Sequence, residues 1–422
     1  MTSSLRPSDP DLSVDEVLRR IEQAIQPITD RETVDLAQAL GRVLALDVVS
    51  PLSVPPHDNS AMDGYAFAGN AVQLNTPLDL KVMGTALAGQ AWIQPLLPGE
   101  CVKIMTGAIM PPGLDTVVPL ELAQRQGDTV HVARGAIKPG ANRRRLGEDL
   151  MAGEPALLAG QRLTPAAVGL LASLGLQSLP VFRRLRVAYF STGDEILSPG
   201  EAPREGAVYD SNRFTLTSLL SRMGVDVIDM GVVPDQPGAL HAAFERAARE
   251  ADAVLTSGGV SMGDADHTRT TIQQLGQIDF WRIAMRPGRP MAFGRMGNLA
   301  GSQTLGGWLF GLPGNPVAAM VTFLVFVRPA LQRLMGCKGA PPVLLQARCT
   351  EVLRKRPGRS EFQRGIVAVN GDGVLCVRTT GPQGSGVLSS MVQANGLIVL
   401  HHAQEAVAPG DLVDVLMFDG AV

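Results

Sequence analysis

Apolar positions recur along the chain with three successive rhythms, and the changes of rhythm mark out its organisation. Val14, Val17, Leu18, Ile21 and Ile25 follow the capping box Ser13-Val-Asp-Glu16 at helical spacing and predict a first helix. Residues 35–40, closed by Gly41, read as a second short helix, and residues 43–49 as a strand. From Val54-Pro-Pro56 to about Asp149 no helical period survives. Short Val/Ile/Leu runs alternate there with Pro-Gly, Thr-Gly and Gly-Asp, which predicts a small β domain inserted into the first one. Thr164 at N-cap, Pro165 at N1 and Gly175 past the end then frame a helix, expected to pack back on the first.

A second rhythm begins at residue 185, where strands and helices alternate. Helices are expected over 211–223, 239–250, 268–275 and 316–335, and strands over 185–190, 225–233, 252–255, 278–283, 291–293 and 308–312. That alternation predicts a parallel, doubly wound sheet. Beyond Pro341-Pro342 the text is β again, with short strands at 343–350, 365–369, 374–378, 396–401 and 412–417 between Gly-rich turns. The expected fold is therefore multidomain α/β plus β. An N-terminal mixed domain (12–50 and 150–180) carries an inserted small β domain (51–149). A central doubly wound α/β domain (181–338) and a C-terminal small β-barrel domain (339–422) follow.

Composition narrows the class. A chain of 422 residues exceeds a single core. A net charge of −3 gives no basic balance for nucleic acid or an anionic membrane surface. The four cysteines form no C-x-x-C pair, against a zinc ribbon or redox pair, and a reducing compartment is the simplest. Residues 1–10 are polar, without an apolar signal core, and no window approaches the roughly 18 apolar residues of a membrane span. The expectation is a cytoplasmic protein with neither nucleic acid nor membrane as partner.

The candidate chemistry lies in loops that follow strands of the α/β domain, where open sheets bind ligands. Thr256-Ser-Gly-Gly-Val-Ser-Met-Gly-Asp-Ala-Asp266 offers Ser257, Gly258, Gly259, Ser261 and Asp266: backbone amides for an anion nest, hydroxyls and carboxylates. Ser191, Thr192, Gly193 and Glu195 form a second such set, and Asp235 ends the next strand. Arg282, Arg286 and Arg289 supply planar forks for tetrahedral oxyanions between two Pro-flanked turns. Pro313, Gly314, Asn315 and Pro316 open a helix, Asn315 as its N-cap. Taken singly, each has a plain structural explanation: a capped glycine turn, carboxylates at a helix start, a solvated basic face. Asp63, Thr106, Asp149, Arg364 and Ser385, outside this domain, equally suit ordinary turn and surface positions. The six histidines show no H-E-x-x-H spacing, and neither a P-loop nor a G-x-S-x-G elbow is present. Together the loops suit a nucleotide or pyrophosphate with magnesium, plus a further oxyanion.

The ordered set of motifs resembles the molybdopterin molybdenumtransferase family, the molybdenum-insertion enzymes to which the gephyrin E domain is related. The matching stretches are Asp58-Asn-Ser-Ala-Met-Asp-Gly-Tyr65, Ile104-Met-Thr-Gly107, Gly147-Glu-Asp149, Ser191-Thr-Gly-Asp-Glu195, Ser257-Gly-Gly-Val-Ser261 with 263–266, Pro313-Gly-Asn-Pro316, Phe362-Gln-Arg-Gly365 and Gln383-Gly-Ser385. They span about residues 12–418. The resemblance implies a four-domain, L-shaped subunit in a homodimer. It implies insertion of molybdenum from molybdate into adenylylated molybdopterin, with magnesium and release of AMP. It places functional roles on Asp63, Thr106, Asp149, Glu195, Asp235 and Asp266, with Glu195, Asp235 and Asp266 as magnesium ligands. Arg282 and Arg286 stand at basic positions where lysine is common, and Leu146 where a basic or small residue is common. Pro313 and Pro316 would shape the pocket, Arg364 and Ser385 would lie on the molybdate side, and the Asp63 loop would reach the partner subunit's α/β domain. The molybdopterin adenylyltransferase and molybdoenzyme chaperones are the implied partners. A non-catalytic molybdopterin-binding scaffold of this fold, or the adenylyl-transfer step itself, are the alternatives.

Overall fold

The computed structural model describes residues 11–73, 76–259, 267–274, 276–297, 306–339 and 341–418. Helix α1 (Val14–Ala24) starts where the capping box predicts, with Ser13 Oγ accepting from the Glu16 N–H at 3.2 Å. Its buried face, Val14, Val17 and Ile21, joins the core of the α/β domain. The helix at Pro165–Ser173 (α2) instead seats Leu171 in a separate core with Val34, Leu44 and Val181. The expected packing of these two helices on each other is thus corrected: each covers a different apolar surface.

Two further expectations in the first domain change. Residues 35–40 hold only a 3-10 turn, Leu36–Gln38, after the strand β1 (Arg31–Asp35). Of residues 43–49 only Val48–Val49 is a strand, while Val43 and Leu44 make isolated bridges to Arg162 and Val181. The backbone there is shared between two neighbours: Leu44 N donates to Gln161 O, and Ala45 N to Pro180 O on strand β8 (Ser178–Phe182). No single ladder can form.

Between these elements lies a six-stranded sheet of β2 (Gly64–Phe67), β3 (Leu78–Ala86), β4 (Glu100–Ile104), β5 (Thr116–Pro119), β6 (Ala123–Gln126) and β7 (Thr129–Val132), in the order β5-β2-β4-β3-β7-β6. Both its faces bury apolar side chains, Tyr65 and Phe67 on one and Ala66 and Val102 on the other.

The central sheet runs β10-β9-β11-β15-β14-β12, from β9 (Arg186–Thr192), β10 (Asp226–Val233), β11 (Ala253–Ser257), β12 (Gly276–Arg282), β14 (Pro290–Met296) and β15 (Trp308–Leu312). Helices α3 (Ser211–Met223), α4 (Pro237–Glu250) and α5 (His267–Gln274) connect its strands. Its first four strands are parallel, but β14 runs antiparallel to both of its neighbours, β15 and β12, which corrects the expected all-parallel sheet. The reason is length: residues 283–289 are too few for a helical crossover, which needs a dozen or so, and so make a tight return.

A continuous helix follows β15: α6 (Pro316–Thr322), a π turn at Phe323–Val327, and α7 (Arg328–Leu334). By length and composition Pro316–Leu334 could cross a membrane, contrary to the expectation that no stretch qualifies. Since 72% of that window is buried inside the fold, it serves as a core helix.

Short strand β13 (Met285–Arg286) leaves the central domain to pair with β17 (Ser360–Val369). There β16 (Leu345–Cys349), β17, β18 (Leu375–Thr379), β19 (Gly396–Leu400) and β20 (Leu412–Met417) close into a five-stranded barrel through the β17–β19 pairing. The barrel is filled by Ala347, Val377, Ile398 and Val415.

Candidate functional site

The parallel strands β9, β10, β11 and β15 end at one edge, so their following loops are neighbours. The floor there is a fully buried hydroxyl cluster. Tyr189 Oη lies 2.8 Å from Ser191 Oγ and 2.7 Å from Ser257 Oγ, and the two serines are 3.3 Å apart. Burial pushes the Tyr189 phenol well above its ordinary value, so it stays protonated and can bond both serines. Gly258 and Gly259 then turn with φ of +89° and +65°. A Cβ at Gly258 would stand 2.6 Å from Thr192 O, and one at Gly259 would stand 2.3 Å from Thr268 Cβ. Only glycine lets this loop wedge between the ends of β9 and α5.

Carboxylates border the wedge. The buried Thr268 hydroxyl lies 3.3 Å from Thr192 Oγ1 and donates to Asp235 Oδ1 at 3.0 Å, drawing Asp235 inward. Asp235 N in turn donates to Asp194 Oδ1 at 3.4 Å. Glu195 is exposed and folds over Gly193; its O accepts from Val208 N at 2.9 Å, while its carboxylate makes no hydrogen bond or ion pair to another described residue. Ser261 and Asp266 lie outside the described residues. Among the described residues no group of three or more His, Cys, Asp or Glu is placed to hold a metal.

Pro313 is buried at the end of β15, and Gly314 O accepts from Asn212 Nδ2 at 2.7 Å. Asn315 occupies the N-cap position, but its side chain makes no cap bond. Ser385 O from the barrel domain accepts from Val317 N at 3.1 Å. The expected Asn315 side-chain cap is thus replaced by a main-chain cap from a distant loop, which a local pattern cannot reveal.

The three arginines of residues 282–289 part company. Arg282 Nε donates to Asp11 Oδ1 at 2.9 Å and Arg289 Nε to Asp11 Oδ2 at 2.8 Å. Arg286 is exposed and lines a cavity of about 260 Å³ with Arg364, Gln363, Glu361 and Gln383. Arg364 is 1% exposed, donating from Nε to Ser390 Oγ at 2.9 Å and from a terminal nitrogen to Gly384 O at 2.9 Å. Burial, with the nearby Arg286 charge, lowers its affinity for its proton. Glu351 and Glu361 line the same space, and among the described residues neither Arg286 nor Arg364 is ion-paired with a carboxylate. Asp11, Glu361 and the glutamines were not singled out as site residues in the sequence. Gln363 and Gln383 lie within quoted motif stretches and Glu361 borders one, whereas Asp11 carries no local signal.

In the inserted domain Asp63 Oδ1 accepts both the N–H and the hydroxyl of Thr106, each at 2.7 Å. These bonds, the backbone one first, hold the Asp63 carboxyl below its ordinary 3.8. Asp149 is exposed in a loop pinned by its N–H to Val54 O at 3.0 Å, and Leu146 N donates to Asp58 Oδ1 at 2.8 Å. Among the described residues, no hydrogen bond or ion pair joins Asp63, Thr106 or Asp149 to the strand-end loops.

Comparison with known proteins places these loops in context. Three family models match in chain order: the MoeA N-terminal region (domains I and II) over residues 12–175, a probable molybdopterin binding domain over 188–333, and the MoeA C-terminal region (domain IV) over 346–418. The chain is 39% identical over 409 residues to the molybdopterin molybdenumtransferase of Haemophilus influenzae, covering 97% of this chain and 99% of that one. The chain belongs to the molybdopterin molybdenumtransferase family. It is also 37% identical over 408 residues to molybdopterin molybdenumtransferase 2 of Mycobacterium tuberculosis, covering 94% and 97% of the two chains. The crystal structure of the molybdopterin biosynthesis moeA protein from Pyrococcus horikoshii superposes with a TM-score of 0.80 at 28% identity, over 96% of this chain and all of that one. In this chain, the stretch matching the molybdopterin binding model contains the hydroxyl floor and the glycine wedge. The stretch matching the C-terminal model contains Arg364 and Ser385.

Proposed function

We propose that this chain inserts molybdenum into molybdopterin, taking adenylyl-molybdopterin and molybdate and releasing AMP. The observation that carries this reading is the pairing of two unlike sites beside each other in the chain's architecture. One is a glycine-wedged, hydroxyl-floored edge suited to a phosphate ester. The other is a small cavity with Arg286 and Arg364, suited to a tetrahedral dianion.

The geometry supports part of a proposed assignment of roles. The Gly258 N–H is engaged by Leu312 O at 3.1 Å, so anion binding at this loop falls to Gly259 and the hydroxyls rather than to every amide. Ser191, Thr192 and Ser257 orient the pterin-side phosphate, with Gly193, Gly314, Asn315 and Pro316 shaping the rim; Ser261, outside the described residues, keeps its proposed substrate-binding role from the sequence. Glu195 and Asp235 offer hard oxygen donors that fit magnesium, with Asp266 as the proposed third. Bound magnesium would supply charge neutralisation at the pyrophosphate. Arg286 and Arg364 hold molybdate, and Arg282 braces the loop that carries Arg286. Asp63, Thr106 and Asp149 act from the other subunit of a homodimer; in support, no hydrogen bond or ion pair among the described residues ties them to the strand-end loops of their own chain. The reading places the enzyme in the cytoplasm, upstream of molybdoenzyme chaperones and downstream of the adenylyltransferase.

The decisive assay mixes the purified chain with adenylyl-molybdopterin, magnesium and molybdate. Molybdate-dependent AMP release is expected, falling to background in Glu195→Ala. Consumption of ATP with molybdopterin would instead indicate adenylyl transfer, and binding without release would indicate a scaffold.

A further inference from the structure

The cavity that holds Arg286 and Arg364 is also lined by Glu351 and Glu361, yet among the described residues no ion pair joins either arginine to either carboxylate. For Arg286 and Glu361 this is unexpected on backbone grounds. Strand β13 runs parallel to β17 with Arg286 in register with Glu361, and the Ser360 N–H donates to Ala284 O at 2.8 Å. Register partners on adjacent strands stand about 5 Å apart and present their side chains on one face. Glu361 is moreover only 3% exposed, so water screens its charge poorly. A cation and an anion so placed would pair unless another group held one of them.

That group is Arg359. Its guanidinium meets Glu361 Oε1 from Nε at 2.9 Å and from a terminal nitrogen at 2.8 Å, while Gln363 Nε2 donates to Oε2 at 3.2 Å. Both oxygens of Glu361 are thus occupied. Residues 359, 361 and 363 alternate along the chain as it enters β17, which brings their three side chains to one face. The buried Lys355 ammonium, also nearby, directs bonds of 2.9 and 3.0 Å to the carbonyls of Arg356 and Gln404. Glu351, the other carboxylate, has its Oε1 engaged by the Thr379 N–H at 2.6 Å. Arg286 itself is exposed, with no hydrogen bond or ion pair from its side chain among the described residues.

We propose that Arg359 is a positioning residue: it sequesters the Glu361 carboxylate and so leaves the Arg286 guanidinium open to an oxyanion. The proposal rests on the reading of the cavity as the molybdate site. Arg359 touches no substrate; it removes an internal competitor. A carboxylate and a tetrahedral oxyanion seek the same planar fork. Glu361, tethered at the neighbouring register position, competes at a high effective concentration once it is released.

Calorimetric titration of the full chain with sodium molybdate tests this through a double-mutant cycle. Arg359→Gln should weaken molybdate binding by about fivefold, the scale of a solvent-touched ion pair. In the Glu361→Gln background the same change should have no effect, because no competitor remains to be released. A summed charge effect would instead weaken binding equally in both backgrounds. That result, or full wild-type affinity in Arg359→Gln, would overturn the proposal. Should Arg359→Gln not fold, Gln363→Met loosens the other Glu361 oxygen without altering charge and enters the same cycle with the same expectations. Arg286→Gln separates the two readings. If it leaves wild-type molybdate binding untouched, the assignment of the cavity fails; if it abolishes binding while the cycle shows no coupling, only the role of Arg359 fails.

Discussion

A tyrosine hydroxyl enclosed between two serines must be satisfied by them, or it forfeits the solvation it had in the unfolded chain. Tyr189 meets that demand with bonds of 2.8 and 2.7 Å, and in doing so fixes where Ser191 and Ser257 point. Tyr189→Phe keeps the ring and removes both bonds. The expected cost is about 1–2 kcal/mol, because the serines retain their own 3.3 Å contact. Urea unfolding should show that loss, and KM for adenylyl-molybdopterin should rise more than kcat falls. A fall in kcat with no change in KM would remove the positioning role. Asp63 follows a different logic. It is half-buried, and its carboxylate is held by the Thr106 N–H and hydroxyl rather than by burial, which fixes the turn that would present it to a partner subunit.

At the scale of elements, the entry to the central sheet depends on an ion pair. Arg183, just before β9, donates to both oxygens of Asp252, just before β11, at 2.7 and 2.8 Å, and from Nε to Asp30 at 2.9 Å. Asp252 also accepts the Arg186 N–H at 2.8 Å. Burial pushes the Asp252 carboxyl up, yet the Arg183 and Arg186 bonds outweigh it and the net shift is downward. A carboxyl depressed in the folded state adds stability above its unfolded value, and that stability is lost as pH falls through the folded one. Asp252→Ala should therefore lower stability by roughly 3 kcal/mol at about pH 7, the low end for a buried pair because Arg183 is partly exposed. The gap in urea midpoint between variant and wild type should shrink as pH falls below about 4. A gap unchanged with pH would mean packing, not charge, links these strands.

At the scale of the whole molecule, the proposed shared site agrees with the lack, among the described residues, of any hydrogen bond or ion pair from Asp63, Thr106 or Asp149 to the strand-end loops. Two inactive variants, Asp63→Ala and Glu195→Ala, should then complement each other once mixed and allowed to exchange subunits. With random pairing, half the dimers are mixed and each of these holds one intact site, so activity should recover to about a quarter of wild type. No recovery despite demonstrated exchange would place the whole site within one chain. The closed barrel matters here too, because Ser385 caps α6 and β13 pairs with β17. The barrel is thereby tied to the cleft rather than hung beside it.

What the sequence determined by itself was whatever depends on neighbours in the chain. The capping box before α1, Thr164 and Pro165 at α2, the strand–helix alternation and the glycine turns are local in their physics, and so the helices and strand-end loops were legible. The α/β centre with β domains around it followed from periodicity. Other features needed contacts between residues far apart. The antiparallel return of β12 and β14 depends on the room left by residues 283–289. The burial of 316–334 depends on what surrounds it, which composition does not record. The replacement of the Asn315 cap by Ser385, and the capture of Arg282 and Arg289 by Asp11, join residues about 70 and 270 or more positions apart. A charge or a donor in the text does not say which partner will reach it first; only the tertiary structure decided that.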